Sequence, residues 1–349
     1  MQSEQFQLHA QIEQRHWWFV ARRQILADMV SRIAPAQSPI GHLTVQPPVL
    51  PGGGVPLDCP SQTVVQPPVE PGANKASGVD GEEKCPGGQP IVVDIGCGTG
   101  ANLAALAGDY LCVGIDTSAE AIELARQRFP GITFVCGQAP RDVDRFLAKA
   151  DVVLLTDVLE HVPVDRGLLA AIVEACRPGA KLLITVPADM RLWSPHDEVF
   201  GHFRRYTADS LAEIWSGLPV KPRLVSYFNT RLYPLVRAAR SINRRRGKTS
   251  GAANTDFKIP ARPVNWLLER IFAQESRRLL SCLDKNQPAF SYGVSLIAVL
   301  ERQNSRIASA SDWHGGEITN FAAKSSLTEI GAAAGGKAAA STTAEPAAL

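Results

Sequence analysis

The chain is expected to be an α/β protein: a mostly parallel sheet with helices on both faces. Three observations in the sequence carry that expectation. Apolar runs at residues 91–95, 111–116, 132–136, 151–156 and 181–187 alternate with helix-forming segments, the pattern of successive βαβ units. The runs are nearly continuous in Val, Ile and Leu rather than alternating with polar residues, as strands covered on both faces are. The first run passes through Gly96-Cys97-Gly98-Thr99-Gly100 into Ala101-Asn102-Leu103-Ala104-Ala105-Leu106-Ala107, a good helix former. Strand, glycine turn and helix in that order point a helix N-terminus at a ligand.

The ligand is narrowed by spacing. Glycine serves where the chain turns sharply and where a ligand must meet backbone without a Cβ in between. A nicotinamide fingerprint is G-x-G-x-x-G, whereas here Asp94 precedes G-x-G-x-G. The second run, Leu111-Cys112-Val113-Gly114-Ile115-Asp116, ends in an acid about 22 residues after Asp94, the distance at which a carboxylate meets the ribose of an adenosine cofactor. Thr117-Ser118 opens the next helix, with Glu120 set for a capping box. The third run closes in Gly137-Gln138-Ala139, and the fourth enters Thr156-Asp157-Val158-Leu159-Glu160-His161-Val162.

Asp94-x-Gly96-x-Gly98-x-Gly100, the acid at 116 and the Leu-Glu-His-Val after strand four together resemble S-adenosylmethionine (SAM)-dependent methyltransferases with the Rossmann-like fold. The resemblance implies a seven-stranded sheet whose last strand inserts antiparallel beside the sixth. It implies SAM as cofactor, held by Asp94, Gly96, Cys97, Gly98, Gly100, Asp116, Thr117, Gln138, Ala139, Thr156 and Asp157. Asp94 would receive the ammonium of the methionine moiety and Asp116 the ribose hydroxyls. Gln138 stands where the family often carries an acid for the adenine amino group; its carbonyl can still accept that bond.

Composition sets outer bounds. The 349 residues carry a net charge of +2, with 45% hydrophobic and 20% charged residues, ordinary for a globular chain, so there is no global case for nucleic acid as a partner. Seven cysteines (59, 85, 97, 112, 136, 176, 282) form no C-x-x-C pair and read as core residues kept reduced. The opening residues lack a signal-peptide core, and no apolar run reaches 18 residues, which leads to an expectation of a cytoplasmic protein.

Residues 1–35 read as an N-terminal amphipathic helix, interrupted near His16. Its His16-Trp17-Trp18-Phe19-Val20-Ala21-Arg22-Arg23 resembles the HWWF-x-x-RR segment of a bacterial methyltransferase group often encoded beside glycosyltransferases. It is expected either to lie over the cofactor as a lid or simply to pack the helix onto the sheet. Residues 36–89 are Pro/Gly-rich, with Val45-Gln46-Pro47-Pro48-Val49 repeated as Val65-Gln66-Pro67-Pro68-Val69, and read as a disordered insertion. The methyltransferase domain is expected over 90–303 and an Ala-rich disordered tail over 304–349.

Candidate acceptor-side residues are His161, after strand four, and His196 and His202 in the string Leu192-Trp193-Ser194-Pro195-His196-Asp197…Gly201-His202-Phe203-Arg204-Arg205-Tyr206, which resembles LWS-x-HD-x-x-x-GHxRRY of the same group. The SAM sulfonium is already electrophilic, so the protein's work is to align an acceptor and exclude water, with a general base adding more for a hydroxyl. Asp157-x-x-Glu160-His161 also resembles the metal-holding E-x-x-E-H of ubiquinone-biosynthesis O-methyltransferases, but no metal is assigned. Residues 231–248 combine Leu232, Tyr233, Leu235 and Val236 with six arginines and Lys248, suited to a solvated helix end or to peripheral contact with an anionic membrane. A further helix is expected over 264–283 with Trp266, Leu267, Ile271 and Leu279 inward. The acceptor is expected to be small, or linked to a lipid or glycan. Two other readings remain open: a non-catalytic membrane-surface or scaffolding protein that kept the fold, and a nucleotide-sugar or NAD-binding Rossmann enzyme.

Overall fold

In a computed structural model, the described residues are 7, 10–36, 88–246, 258–285 and 287–304. They form a seven-stranded sheet in the order β3-β2-β1-β4-β5-β7-β6. The strands are β1 (Ile91–Ile95), β2 (Leu111–Asp116), β3 (Thr133–Cys136), β4 (Val152–Thr156), β5 (Lys181–Pro187), β6 (Val220–Phe228) and β7 (Ser295–Arg302). Strands β1 to β5 pair in parallel, while β7 inserts antiparallel between β5 and β6. Every residue of β1 and β4 is buried, which is why their sequences show no polar alternation.

Helices α1 (Trp17–Ile33), α2 (Ala101–Ala104), α3 (Ala119–Arg128), α4 (Asp144–Leu147), α5 (Asp165–Ala175), α6 (Pro195–Val199), α7 (Ala208–Ile214), α8 (Tyr233–Arg246), α9 (Arg262–Ala273) and α10 (Glu275–Lys285) surround the sheet. Strand order reverses between β1 and β4, so the crevice beyond their carboxyl ends is where an open α/β sheet receives a ligand. The glycine turn leaves β1 there, and Thr156-Asp157 leaves β4 beside it.

Several local expectations are revised. Helix α2 is one turn, not seven residues. Ser118 caps α3, its side chain accepting the Ala121 N–H, so Glu120 supports the first turn by charge rather than closing a capping box. The helix expected over 264–283 is two, breaking at Gln274. Leu279 is buried as expected, but Trp266 and Leu267 face outward at 57% and 51% exposure. The inward residue of α9 is Phe272, because α9 packs through its opposite side on α1. The insertion from residue 37 to 87 and the tail beyond 304 lie outside the described residues. No described helix is long and apolar enough to cross a membrane.

Candidate active site

The glycine turn is built on β2. The Gly96 and Cys97 N–H groups donate to the Ile115 carbonyl at 2.8 and 3.0 Å, and the Gly98 N–H donates to Asp116 Oδ2 at 2.9 Å. Asp116 Oδ1 accepts the Ser118 N–H at 2.8 Å. A carboxylate has about four lone-pair sites, so Asp116 braces the turn and keeps capacity for a ligand hydroxyl.

Two glycines in the turn differ in what a side chain would meet. A Cβ at Gly100 (φ +83°) would lie 2.7 Å from Phe134 Cζ, whereas a Cβ at Gly98 (φ +52°) would meet nothing within 4 Å. Gly100 is therefore a packing position, and Gly98 borders open space in the crevice. Asp94 stands at the end of β1, fully buried, with neither carboxyl oxygen in a hydrogen bond of ordinary geometry. Burial pushes this carboxyl up to about 7, with Arg22 opposing and Asp116 adding to the rise. The Asn102 amide offers it only a weak opposing hydrogen bond; a buried acid so poorly paired is costly, and a ligand ammonium would relieve it. This orphaned carboxylate and the uncovered face of Gly98 fit the amino-acid tail of SAM.

The N-terminal segment reaches both sides of the crevice. Glu13 is buried, accepts the Thr99 hydroxyl at 2.7 Å and forms an ion pair with Arg128. Arg128 also donates to the Thr99 carbonyl at 3.1 Å. His16 caps α1 with its ring accepting the Trp18 N–H, and burial lowers its pKa to about 4. Nearly two turns later Arg22, also buried, pairs with Asp157 at 2.7 Å and donates to the Thr185 hydroxyl at 3.0 Å, its guanidinium over the Trp18 ring. Its Nε lies buried with no hydrogen-bond partner. Residues 10–22 thus touch the glycine turn at one end and the β4–β5 edge at the other.

On the β4 side, Thr156 accepts the Asn102 amide at 3.1 Å, and Asp157 adopts φ +59°, a strained backbone that turns its carboxylate to Arg22 and Thr185. Glu160 is fully buried with both oxygens unpartnered; burial, then the nearby Asp157, hold its carboxyl well above the usual range. His161 lies with its ring centroid 4.7 Å from that of His202. Burial lowers the His161 pKa to about 4, helped by His202.

His202 is fixed by Asp197, whose Oδ1 lies 2.9 Å from Nδ1. Asp197 is buried and also receives Arg205 at 2.8 Å and the Ser194 N–H at 2.9 Å. Burial alone would raise this acid, but His202 and Arg205 hold it well below the carboxylate range. The loop 188–207 is thereby a scaffold that aims the second nitrogen of His202. His196 stands one ring further out, 6.3 Å from His202, and packs on Phe200; burial pushes its pKa to about 3.

One ligand atom each from Glu160, His161 and His202 lies within 4.8 Å of the others. Two imidazoles and a carboxylate could hold a borderline divalent ion, with Asp197 as the outer partner of His202. Asp157, the first acid of the E-x-x-E-H resemblance, is instead taken by Arg22.

The crevice brings together Asp94, Gly96, Cys97, Gly98, Gly100, Asp116, Thr156 and Asp157, and beside them His161 and His202. Gln138 is exposed, and its N–H donates to Asp142 Oδ2 at 2.8 Å, so an acid does stand near the β3 end, four residues later than the family pattern. Thr117 and Ala139 flank these positions without a described polar contact of their own. Sequence reasoning missed Glu13, Glu160 and Asp197 as buried acids, and placed Arg22 in the His16–Arg23 segment without its partners Asp157 and Thr185. The usable signal was a charged residue on a helix's inward face, which demands a buried partner.

A family model described as a methyltransferase domain matches residues 21–218. A ubiquinone biosynthesis O-methyltransferase of Erwinia tasmaniensis is 31% identical over 108 residues, covering 29% of this chain and 44% of that protein. A trans-aconitate 2-methyltransferase of Azoarcus is 33% identical over 99 residues, covering 28% and 38%. Both matches span less than half of the relative. A solved magnesium protoporphyrin IX methyltransferase from Synechocystis with bound SAM aligns over 38% of this chain and 61% of its own, at 19% identity and a TM-score of 0.30.

Proposed function

The chain belongs to the methyltransferase-domain family, and on that premise we propose that it moves a methyl group from SAM to an oxygen of a small, lipid-linked or glycan-linked acceptor. The observation that carries the reading is the pairing of an orphaned buried carboxylate, Asp94, with the open face of Gly98. Bound there, SAM supplies a sulfonium-activated methyl group. Asp94 receives the ammonium, Arg22 is the cation within reach of the tail's carboxylate, and Asp116 takes ribose hydroxyls on its remaining lone pairs. Gly96, Cys97 and Gly100 shape the turn, Thr117, Gln138 and Ala139 border the adenosine end, and Thr156 and Asp157 line the reacting side.

Deprotonation of the acceptor falls to the His161–His202 pair. Nδ1 of His202 is engaged by Asp197, which leaves its other nitrogen to take the hydroxyl proton as the oxygen gains the methyl group. His161 is held neutral by burial and orients the acceptor or passes the proton on; His196 supports from behind. The segment from residue 10 to 36 acts as the lid, excluding water and tying the glycine turn to the β4–β5 edge through Glu13 and Arg22. Two relatives named for ubiquinone biosynthesis and trans-aconitate support a small-molecule acceptor, and the basic helix α8 supports one met at a membrane surface through residues 231–248.

The test is direct. Calorimetry with SAM should give binding that Asp94→Ala abolishes while circular dichroism stays native, and radiolabelled SAM with cell extract should label a fraction that His202→Gln fails to label. Binding of NAD in place of SAM, or labelling unaffected by both substitutions, would sink the reading.

A further inference from the structure

Helix α9 turns the wrong face to solvent for a protein that ends at its own surface. Val264, Trp266 and Leu267 are 48%, 57% and 51% exposed, and Ile259, just before the helix, is exposed as well. Its opposite side is committed: Asn265 accepts the Trp17 N–H at 3.0 Å and donates to the Arg15 carbonyl at 2.8 Å, and Phe272 meets the Trp17 ring. The outward residues therefore cannot be turned inward by rotating the helix. Exposed aromatic and aliphatic side chains in one cluster mark an interaction surface.

The charges around the cluster select its partner. Lys258, Arg262 and Arg270 flank it against one acid on the helix, Glu269, and the Arg270 guanidinium sits over the Trp266 ring at 5.5 Å. Helix α8 begins next to the end of α9, where Arg231 donates to the Gln274 side chain at 2.8 Å and Glu275 accepts the Thr230 and Arg231 N–H groups. The helix carries five arginines and no acid, with Leu235 and Ile242 exposed; Arg240 is turned inward to Asp197 and Arg244 reaches the Arg191 carbonyl, while Arg245 is exposed. We propose that the Val264-Trp266-Leu267 face of α9, flanked by Lys258, Arg262 and Arg270, inserts into the interfacial region of an anionic lipid bilayer. A tryptophan with a cation over its ring suits the boundary between headgroup and acyl chain, and the basic side chains meet the lipid charge.

The placement has a consequence for the site. Helix α9 backs directly onto α1, the helix that delivers Arg22 to Asp157. A bilayer under α9 would hold the crevice's covering helix at the lipid surface, where an amphiphilic acceptor is concentrated. The surface itself rests on exposure and charge alone and does not depend on the methyl-transfer reading.

The experiment is co-sedimentation of the full chain with vesicles of phosphatidylcholine alone and of phosphatidylcholine mixed with phosphatidylglycerol. The expected result is binding to the mixed vesicles, weakened by salt, and reduced roughly tenfold by Trp266→Ala with Leu267→Ala. Arg244→Gln with Arg245→Gln should weaken it as well. SAM affinity of both variants, measured by calorimetry, should match the parent, which separates loss of the surface from loss of the fold or of the cofactor site. No vesicle binding, equal binding to both vesicle types, or binding indifferent to the α9 substitutions would overturn the proposal. So would a concentration-dependent dimer that disappears in the α9 variant, which would give the face to a second copy.

Discussion

Replacing Gly98 or Gly100 with alanine separates a cofactor cradle from a packing requirement within one turn. Both residues have positive φ, so each alanine takes on backbone strain of roughly 1–2 kcal/mol, offset in part by a stiffer unfolded chain. At Gly98 the new methyl meets no protein atom within 4 Å. The net loss there should be about 1 kcal/mol, small against the roughly 5–15 kcal/mol of a typical domain. At Gly100 the methyl would lie 2.7 and 2.9 Å from the Phe134 ring and 3.2 Å from Phe129. Overpacking adds about 1–3 kcal/mol more. Urea denaturation should then rank Gly100→Ala well below Gly98→Ala in stability. Calorimetry with SAM should show the reverse sensitivity for Gly98→Ala: a folded protein whose affinity has dropped at least about tenfold, or 1.4 kcal/mol. Normal SAM affinity in Gly98→Ala would mean that the cofactor lies elsewhere, and equal destabilisation of the two variants would refute the packing argument.

Other outcomes follow from the same geometry. The Asp94 pKa is raised on folding, so the native state holds a proton that the unfolded chain has lost; the associated stability is present at low pH and declines between about pH 4 and 7. Asp94→Asn should flatten that decline in urea titrations, and SAM binding near pH 7 should release protons, seen as a buffer-dependent calorimetric enthalpy in the parent and not in the variant. Arg22→Met should cost about 2 kcal/mol, below the value for a fully buried pair because Asp157 is 28% exposed, and should also raise the KM for SAM. His161 is neutral down to about pH 4, so if it handles the proton, the acid limb of kcat should fall near that pH and should be lost in His161→Gln; a pH profile unchanged by His161→Gln would take the proton away from His161.

The parts of this protein that could be read from its residues are those set by local sequence. Continuous Val/Ile/Leu runs made β1, β4 and β5 visible because a strand buried on both faces has no polar register to hide in, whereas the edge strand β3 is partly exposed. The acid-glycine turn was visible because backbone of that shape admits few residues. Other features depend on partners far away in the chain. Arg22 looks like a polar interruption of an apolar stripe until β4 and β5 bring Asp157 and Thr185 to it. His202 gains an orienting carboxylate from Asp197 and a neighbouring imidazole from His161 only when loop 188–207 folds over the end of β4. Helical spacing identifies an apolar face on α9 but cannot say which way it turns; Asn265 and Phe272 docking on α1 decide that, and leave Trp266 to the outside. Periodicity is a property of neighbouring residues, whereas burial and charge pairing are properties of the assembled sheet and its cover.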